Sequence, residues 1–226
     1  MQVQVFSQAS FVARLEKTIG TFKLTIHLYQ NDIPAGLRFG KSIAIDTETQ
    51  GLLIQRDRLC LIQLSDGNGD AHLVQFEKNQ YEAPNLKKVL RNPKSVKIFH
   101  FARFDIATIK AYLGITCSPV FCTRIASRLT RTYTEKHGLK DICAELLGVE
   151  ISKQQQQSDW ANAELTTEQQ KYAASDVLYL HQLMEILKGR LIRESRTDLA
   201  QACFDFLPFQ AELDLEGWNN EDIFAH

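Results

Sequence analysis

Ser42-Ile43-Ala44-Ile45-Asp46-Thr47-Glu48 is the stretch on which the reading of the fold turns: a short β-rich run that ends in acids. Leu59 to Leu64 and His72 to Phe76 are two further strand candidates, parted by the turn residues Asp66-Gly67-Asn68-Gly69. Three strands so closely connected predict an antiparallel meander. Pro84 opens a helix through Leu90, Val96 to His100 reads as a fourth strand, and Asp105 to Leu113 has helical apolar spacing that stops at Gly114. From Thr123 the pattern is mainly helical: Thr123 to Leu129, Leu139 to Leu147, and a long stretch from Thr166 to about Arg193 with Thr166 or Thr167 as N-cap. A meander followed by β-α units predicts an α/β fold, a mixed sheet of antiparallel meander plus parallel strands flanked by helices. Strand-like alternation begins at Leu24; residues 1–22 carry little pattern and are expected to form a loosely attached extension to a single domain over 23–226.

A chain of 226 residues with 44% hydrophobic and 23% charged residues has the composition of an ordinary globular protein, not a fibre or a disordered linker. Its five cysteines form no C-x-x-C pair and are odd in number, which predicts reduced thiols in a cytoplasmic protein and no zinc knuckle. No apolar run approaches the ~20 residues that cross a bilayer, so no membrane partner is expected. The formal charge of −1 hides a split. Seven acids and no Lys or Arg follow Arg196, so residues 1–196 hold 26 basic against 20 acidic groups and carry +6.

Asp46 and Glu48 stand two apart at the end of a strand, and a period of two puts both on one face of the sheet. Acids at strand ends are often merely solvated, so this pair alone does not define a metal site. Asp105 follows the fourth strand in His100-Phe101-Ala102-Arg103-Phe104-Asp105, where it would either cap the next helix or help build a site. Tyr172 and Asp176 are four apart within the long helix, on one face, and the neighbours Val177, Leu180 and Leu183 turn that face inward. Together Asp46, Glu48, Asp105 and Asp176 offer hard oxygen ligands with no His or Cys set, which suits Mg²⁺ or Mn²⁺ better than zinc. Two divalent cations would cancel the four charges, and a two-metal centre suits in-line displacement at phosphorus. Tyr172, one turn before Asp176, would orient or help deprotonate the attacking water.

Three motifs now resemble those of the tyrosine variant of the DEDD 3′-5′ exonucleases. D-x-E-T is similar to Asp46-Thr47-Glu48-Thr49, the second motif to His100 through Asp105, and Y-x-x-x-D to Tyr172-Ala173-Ala174-Ser175-Asp176. The resemblance implies a ribonuclease H-like fold and catalytic roles for Asp46, Glu48, Asp105, Tyr172 and Asp176. Gly138-Leu139-Lys140, Leu146-Leu147-Gly148 and Lys153 through Ser158-Asp159-Trp160 resemble the ribonuclease D group. Phe121 through Thr134, Ile151 through Gln156 and Asp222-Ile223-Phe224-Ala225-His226 look like the short nano-RNase C enzymes, which implies a homo-octameric ring acting on diribonucleotides.

On the substrate side, Arg124, Arg128 and Arg131 are spaced four and three apart and would share a helical face, with Lys136, His137 and Lys140 close behind. That face is either solvated surface or a phosphate contact. Arg128 with Arg131, or Lys153 with Gln154, are the candidates for the terminal phosphate of a short RNA. Leu52, just after Gly51, is core or a wedge between bases, the latter by resemblance. His100 reads as packed core or as a hydrogen-bond partner behind a metal ligand, Phe101 and Phe104 as core or as base-stacking platforms, and Trp160 as a loop anchor or a ring stacked on a base. The first function expected is a metal-dependent 3′-5′ exoribonuclease that cuts short oligoribonucleotides, especially diribonucleotides, to nucleoside 5′-monophosphates. The alternatives are ribonuclease D-like trimming of structured RNA 3′ ends, or an exonuclease that also takes ssDNA or dsDNA ends. A catalytically inactive nucleic-acid-binding module would lack a ligand residue, and none is missing.

Overall fold

The computed structural model describes residues 25–152 and 154–225. The expected extension over 1–22 and Lys153 lie outside them. Six strands form one mixed sheet in the order β1-β4-β3-β2-β5-β6, with β1 Thr25–Gln30, β2 Ser42–Thr49, β3 Leu59–Ser65, β4 Asp70–Gln75, β5 Val96–Phe99 and β6 Val120–Cys122. β2, β3 and β4 pair antiparallel as the meander predicts. β5 and β6 continue it in parallel beyond β2, and β1 adds a parallel edge beside β4. The Asp66–Gly69 turn closes the β3–β4 hairpin, and at Gly67 the backbone is left-handed (φ +84) while a Cβ would come within 2.9 Å of the His181 ring, so two constraints call for glycine there.

Around the sheet lie α1 Pro84–Leu90, α2 Ala102–Leu113, α3 Thr123–Thr130, α4 Leu139–Leu147, α5 Thr167–Leu178, α6 Leu180–Arg193 and α7 Thr197–Leu213. Three differences from the sequence reading matter. The long helix is two, α5 and α6, joined at Tyr179. β6 is only three residues long and too short to show a period. α2 begins at Ala102, so Asp105 lies inside its first turn and is not its cap. All seven residues of β3 are buried, as a strand at the centre of a two-sided sheet must be. The core is one cluster spanning the sheet and the inner faces of the helices.

The acidic C-terminal stretch packs on its own domain. α7 lies against α2 and β6. Arg103 binds Asp214 with two hydrogen bonds of 2.6 Å, and Lys110 pairs with Glu212. The five cysteines are unpaired thiols, four of them buried. Among the described residues no helix is long and apolar enough to cross a membrane.

α5 carries Tyr172 and Asp176, and its start is fixed by a reciprocal cap. Thr166 Oγ1 accepts from the Gln169 N–H at 3.2 Å, and the Thr166 N–H donates to Gln169 Oε1 at 2.9 Å. Gln169 Nε2 also donates to Ser158 Oγ and to the Asp159 carbonyl, so one side chain ties the helix to the loop before it. Thr166→Ala is expected to cost about 1 kcal/mol and to lower Tm by roughly 2–4 °C. Gln169→Ala is expected to cost more, because the loop loses its tie as well. Thermal melts rank the two, and equal losses would show that the loop contacts carry nothing.

Candidate active site

β2 and β5 run parallel as neighbours, and their carboxyl ends open on the same side. Side chains leaving those ends converge, as they do at the carboxyl edge of parallel strands generally. Asp46 and Glu48 project from one face of β2, and a register shift between Glu48 and Thr49 bends the strand at that point. Asp176 comes from α5, which packs across β2, β3 and β4. Asp46, Glu48 and Asp176 each bring an oxygen within 4.8 Å of the others. Thr47, on the opposite face, donates from Oγ1 to Asp105 Oδ1 at 2.6 Å and so anchors the fourth acid.

All four acids and Tyr172 line one cavity of about 300 Å³. Burial raises the Asp46 carboxyl to about 7, against the pull of the Thr47 N–H. Glu48, Asp105 and Asp176 are all pushed well above the ordinary carboxylate range, first by burial and then by the charges of the other acids. Among the described residues none of the four has an ion pair with Lys or Arg. An all-oxygen cluster with uncompensated negative charge is a donor set for hard divalent cations. Burial, then the charges of Asp176, Glu48 and Asp46, push the Tyr172 phenol up, so that in the metal-free site it is a neutral O–H group.

The loop before α5 closes the cavity from the side. Arg58 holds it through the Ala161 carbonyl at 3.3 Å, Gln75 Nε2 holds the Asn162 carbonyl at 2.7 Å, and Trp160 is buried with its ring 6.0 Å from that of Tyr172. The loop thereby delivers Ile151, Ser152 and Gln156 to the lining. Trp160 anchors the loop, as the sequence reading had it.

The substrate candidates separate. Leu52 is 82% exposed and Leu53 half exposed, so neither is core. The turn that presents them is built: Gly51 sits against Asp57, and Asp57 Oδ2 accepts from the Leu53 N–H at 3.0 Å. Arg128 is exposed outside the cavity lining. Arg131 corrects the sequence reading. Arg131 is the C-cap of α3, and its side chain, 1% exposed, folds back over Ser127 one turn before it. Its guanidinium is committed to Glu145, Ser127 Oγ and the Lys136 carbonyl. Glu145 in turn is lowered to about 2, chiefly by its hydrogen bond from Arg131. Gln154 is exposed and outside the lining, whereas Gln156 is part of it.

Phe101, Phe104 and His100, whose first reading is core, all line the cavity, which favours their alternative reading as site residues. Phe101 is 48% exposed with a left-handed backbone (φ 69), and the Arg124 guanidinium lies 4.8 Å from its ring centroid. His100 Nδ1 is 2.9 Å from Thr123 Oγ1. No periodicity marks such residues, because they stand where a strand ends and a helix begins. Arg124 and Lys140, from the basic cluster, also reach the lining.

A mixed sheet with helical flanks, and acids gathered at the ends of its parallel strands, define a nuclease-type hydrolase centre. The pattern of the 3′-5′ exonuclease family matches residues 30–192, and the chain belongs to that family. Within it the chain is of the ribonuclease D-like DEDD kind, near NrnC. It is 32% identical over 162 residues to ribonuclease D of Gluconacetobacter diazotrophicus, covering 72% of this chain and 41% of that protein. It thus spans about two fifths of the length of that relative. The structure of Brucella melitensis NrnC bound to pGG matches with a TM-score of 0.87 and 54% identity, over 90% of this chain and all of that one. Brucella melitensis NrnC with bound Mg²⁺ gives 0.85 and 53%, with the same coverage. Escherichia coli RNase D, at 24% identity and a TM-score of 0.68 over 80% of this chain and 48% of that one, shares the fold.

Two outcomes follow from this geometry. A carboxyl whose pKa is higher folded than unfolded holds extra protons when folded, so stability falls as pH rises from about 4 through the Asp46 value of about 7. In EDTA the protein is expected to melt at a lower temperature at pH 8 than at pH 5, with Mg²⁺ removing the difference. Asp46→Asn should raise the metal-free Tm at pH 8 by about 3 °C or more; an unchanged value would count against the repulsion. Arg131→Ala is expected to cost about 2–4 kcal/mol in denaturant unfolding while leaving KM for RNA within about twofold. A tenfold rise in KM would return Arg131 to the substrate.

Proposed function

We propose that the chain removes nucleotides from the 3′ ends of short oligoribonucleotides, diribonucleotides above all, and releases nucleoside 5′-monophosphates. The observation that carries the reading is the convergence of Asp46, Glu48, Asp105, Asp176 and Tyr172 on one cavity of about 300 Å³. That is the small end of the range for ligand pockets, which suits a terminal nucleotide. The likeness to NrnC bound to pGG supports the short substrate. Asp46, Glu48, Asp105 and Asp176 would hold two divalent cations, Mg²⁺ or Mn²⁺, and the likeness to NrnC with bound Mg²⁺ supports magnesium. Bound there, the cations supply a water of lowered pKa and stabilise charge on the leaving oxygen.

The chain's own residues do the rest. Tyr172, lining the same cavity one turn before Asp176, orients the attacking water or helps take its proton. Thr47 keeps Asp105 in place. Arg124, held over Phe101, and Lys140 supply positive charge to phosphate at the rim, with Arg128 and Gln154 outside the lining as contacts for a longer substrate. Leu52, presented bare on its turn, serves as the apolar wedge against a base. Location in the cytoplasm and a ring of eight copies belong to the same proposal, through the resemblance to nano-RNase C.

The test uses end-labelled RNAs of two to twenty residues with Mg²⁺, and ssDNA and dsDNA ends beside them. Dinucleotides are expected to be cleaved most efficiently. Asp46→Ala and Asp176→Ala should each lower kcat by at least about a thousandfold, and Leu52→Ala should lower kcat/KM for dinucleotides by about tenfold. Trimming of long structured RNA with dinucleotides left intact would give the ribonuclease D-like reading in its place. Full activity of either aspartate variant would overturn the centre itself.

A further inference from the structure

Gln63 stands in the middle of β3 with its side chain fully buried. It is the cross-strand partner of Asp46, so the pleat puts both side chains on the same face of the sheet. α5 packs over that face and brings Asp176 to Asp46. A carboxamide carries two donor hydrogens and an acceptor oxygen, yet neither the nitrogen nor the oxygen of Gln63 has a partner. Its neighbour on the far side is Leu73, and the buried side chains of α5, which packs over β3, are Ala173, Ala174 and Val177 together with Asp176 and Gln169.

A buried amide without partners is destabilising, and an apolar side chain of the same length would fill the space without that cost. The fold therefore gives no reason for glutamine at this position. The acid across from it does. Directly opposed side chains have Cβ atoms about 4.5–5.5 Å apart, a span the longer glutamine reaches with its NH₂ group. The amide is also neutral: it offers a donor to the carboxylate without the positive charge by which Lys or Arg would compete with a cation.

We propose that Gln63 is a positioning residue for the metal centre, its amide nitrogen donating to the Asp46 carboxylate when the centre is loaded and fixing that carboxylate toward the cation. The inference rests on the two-cation reading above. Outer partners of this kind set the orientation of metal-bound carboxylates and typically change metal affinity by about 10–100-fold.

Gln63→Met and Gln63→Leu test it, through Mg²⁺ affinity by calorimetry, Tm in EDTA, and kcat and KM on a dinucleotide. The expected result is a metal-free Tm at or above that of the wild type, Mg²⁺ binding weakened about tenfold, a lower kcat and an unchanged KM for RNA. A folded variant with wild-type Mg²⁺ affinity and kcat would overturn the inference. So would failure of both variants to fold, since that makes the amide a structural group. The two readings fail separately. If Asp46→Asn leaves Mg²⁺ binding intact, the two-cation reading falls and takes Gln63 with it; if Asp46→Asn abolishes binding and the Gln63 variants match wild type, only the role of Gln63 is lost.

Discussion

Four carboxylates crowded into one cavity are the constraint around which the molecule is arranged. Burial first, and for Glu48, Asp105 and Asp176 the charges of neighbouring acids as well, raises their pKa values, and among the described residues none of the four meets a basic side chain in an ion pair. Burial favours the neutral acid, and local donors oppose it, among them the Thr47 hydroxyl and N–H on Asp105 and the Thr47 N–H on Asp46. Such a site is unstable by itself and stable only as a receptor for positive charge. The rest of the fold has to hold it together while it waits.

That restraint comes from polar ties placed outside the cavity. Arg58 and Gln75 on the sheet grip the backbone of the loop before α5, Gln169 grips the same loop from the helix side, and the cap at Thr166 sets where the helix starts. Arg131 and Glu145 make a comparable tie between the end of α3 and α4. Here the basic residues serve the scaffold and leave the acids alone. Arg103 and Lys110 do likewise with Asp214 and Glu212, which locks the C-terminal helix onto α2.

The legible part of the sequence is the part ruled by short-range pattern. The period of two in Ser42–Glu48 placed both acids on one face, and the spacing of four placed Tyr172 over Asp176. The meander followed from turn residues whose conformations, as at Gly67, are those their chemistry allows. The parts that escaped depend on where an element stops. Arg131 is three residues from Arg128, but it caps the end of α3, where Glu145 of α4 takes it into an ion pair and out of solvent. Phe101 is apolar and was expected inside, yet it occupies the left-handed step between β5 and α2 and so faces the cavity. β6 is held by its neighbours and not by a pattern of its own.

The charge split also reads differently in three dimensions. The body carries +6 by sequence, and four of its acids lie in the cavity, which would leave a surface near +10 once cations cancel them. The structure takes some of that back, because Glu212 and Asp214 from the acidic stretch neutralise Lys110 and Arg103. Affinity for a polyphosphate backbone grows with the number of phosphates neutralised, and for single strands its salt slope is about −0.7 per phosphate. Each basic side chain held in an internal pair is one fewer source of that affinity. Arg124 and Lys140 remain at the cavity itself, beside the acids, where an entering phosphate meets positive charge. The short substrate proposed above, with one or a few phosphates, needs no more than that local charge.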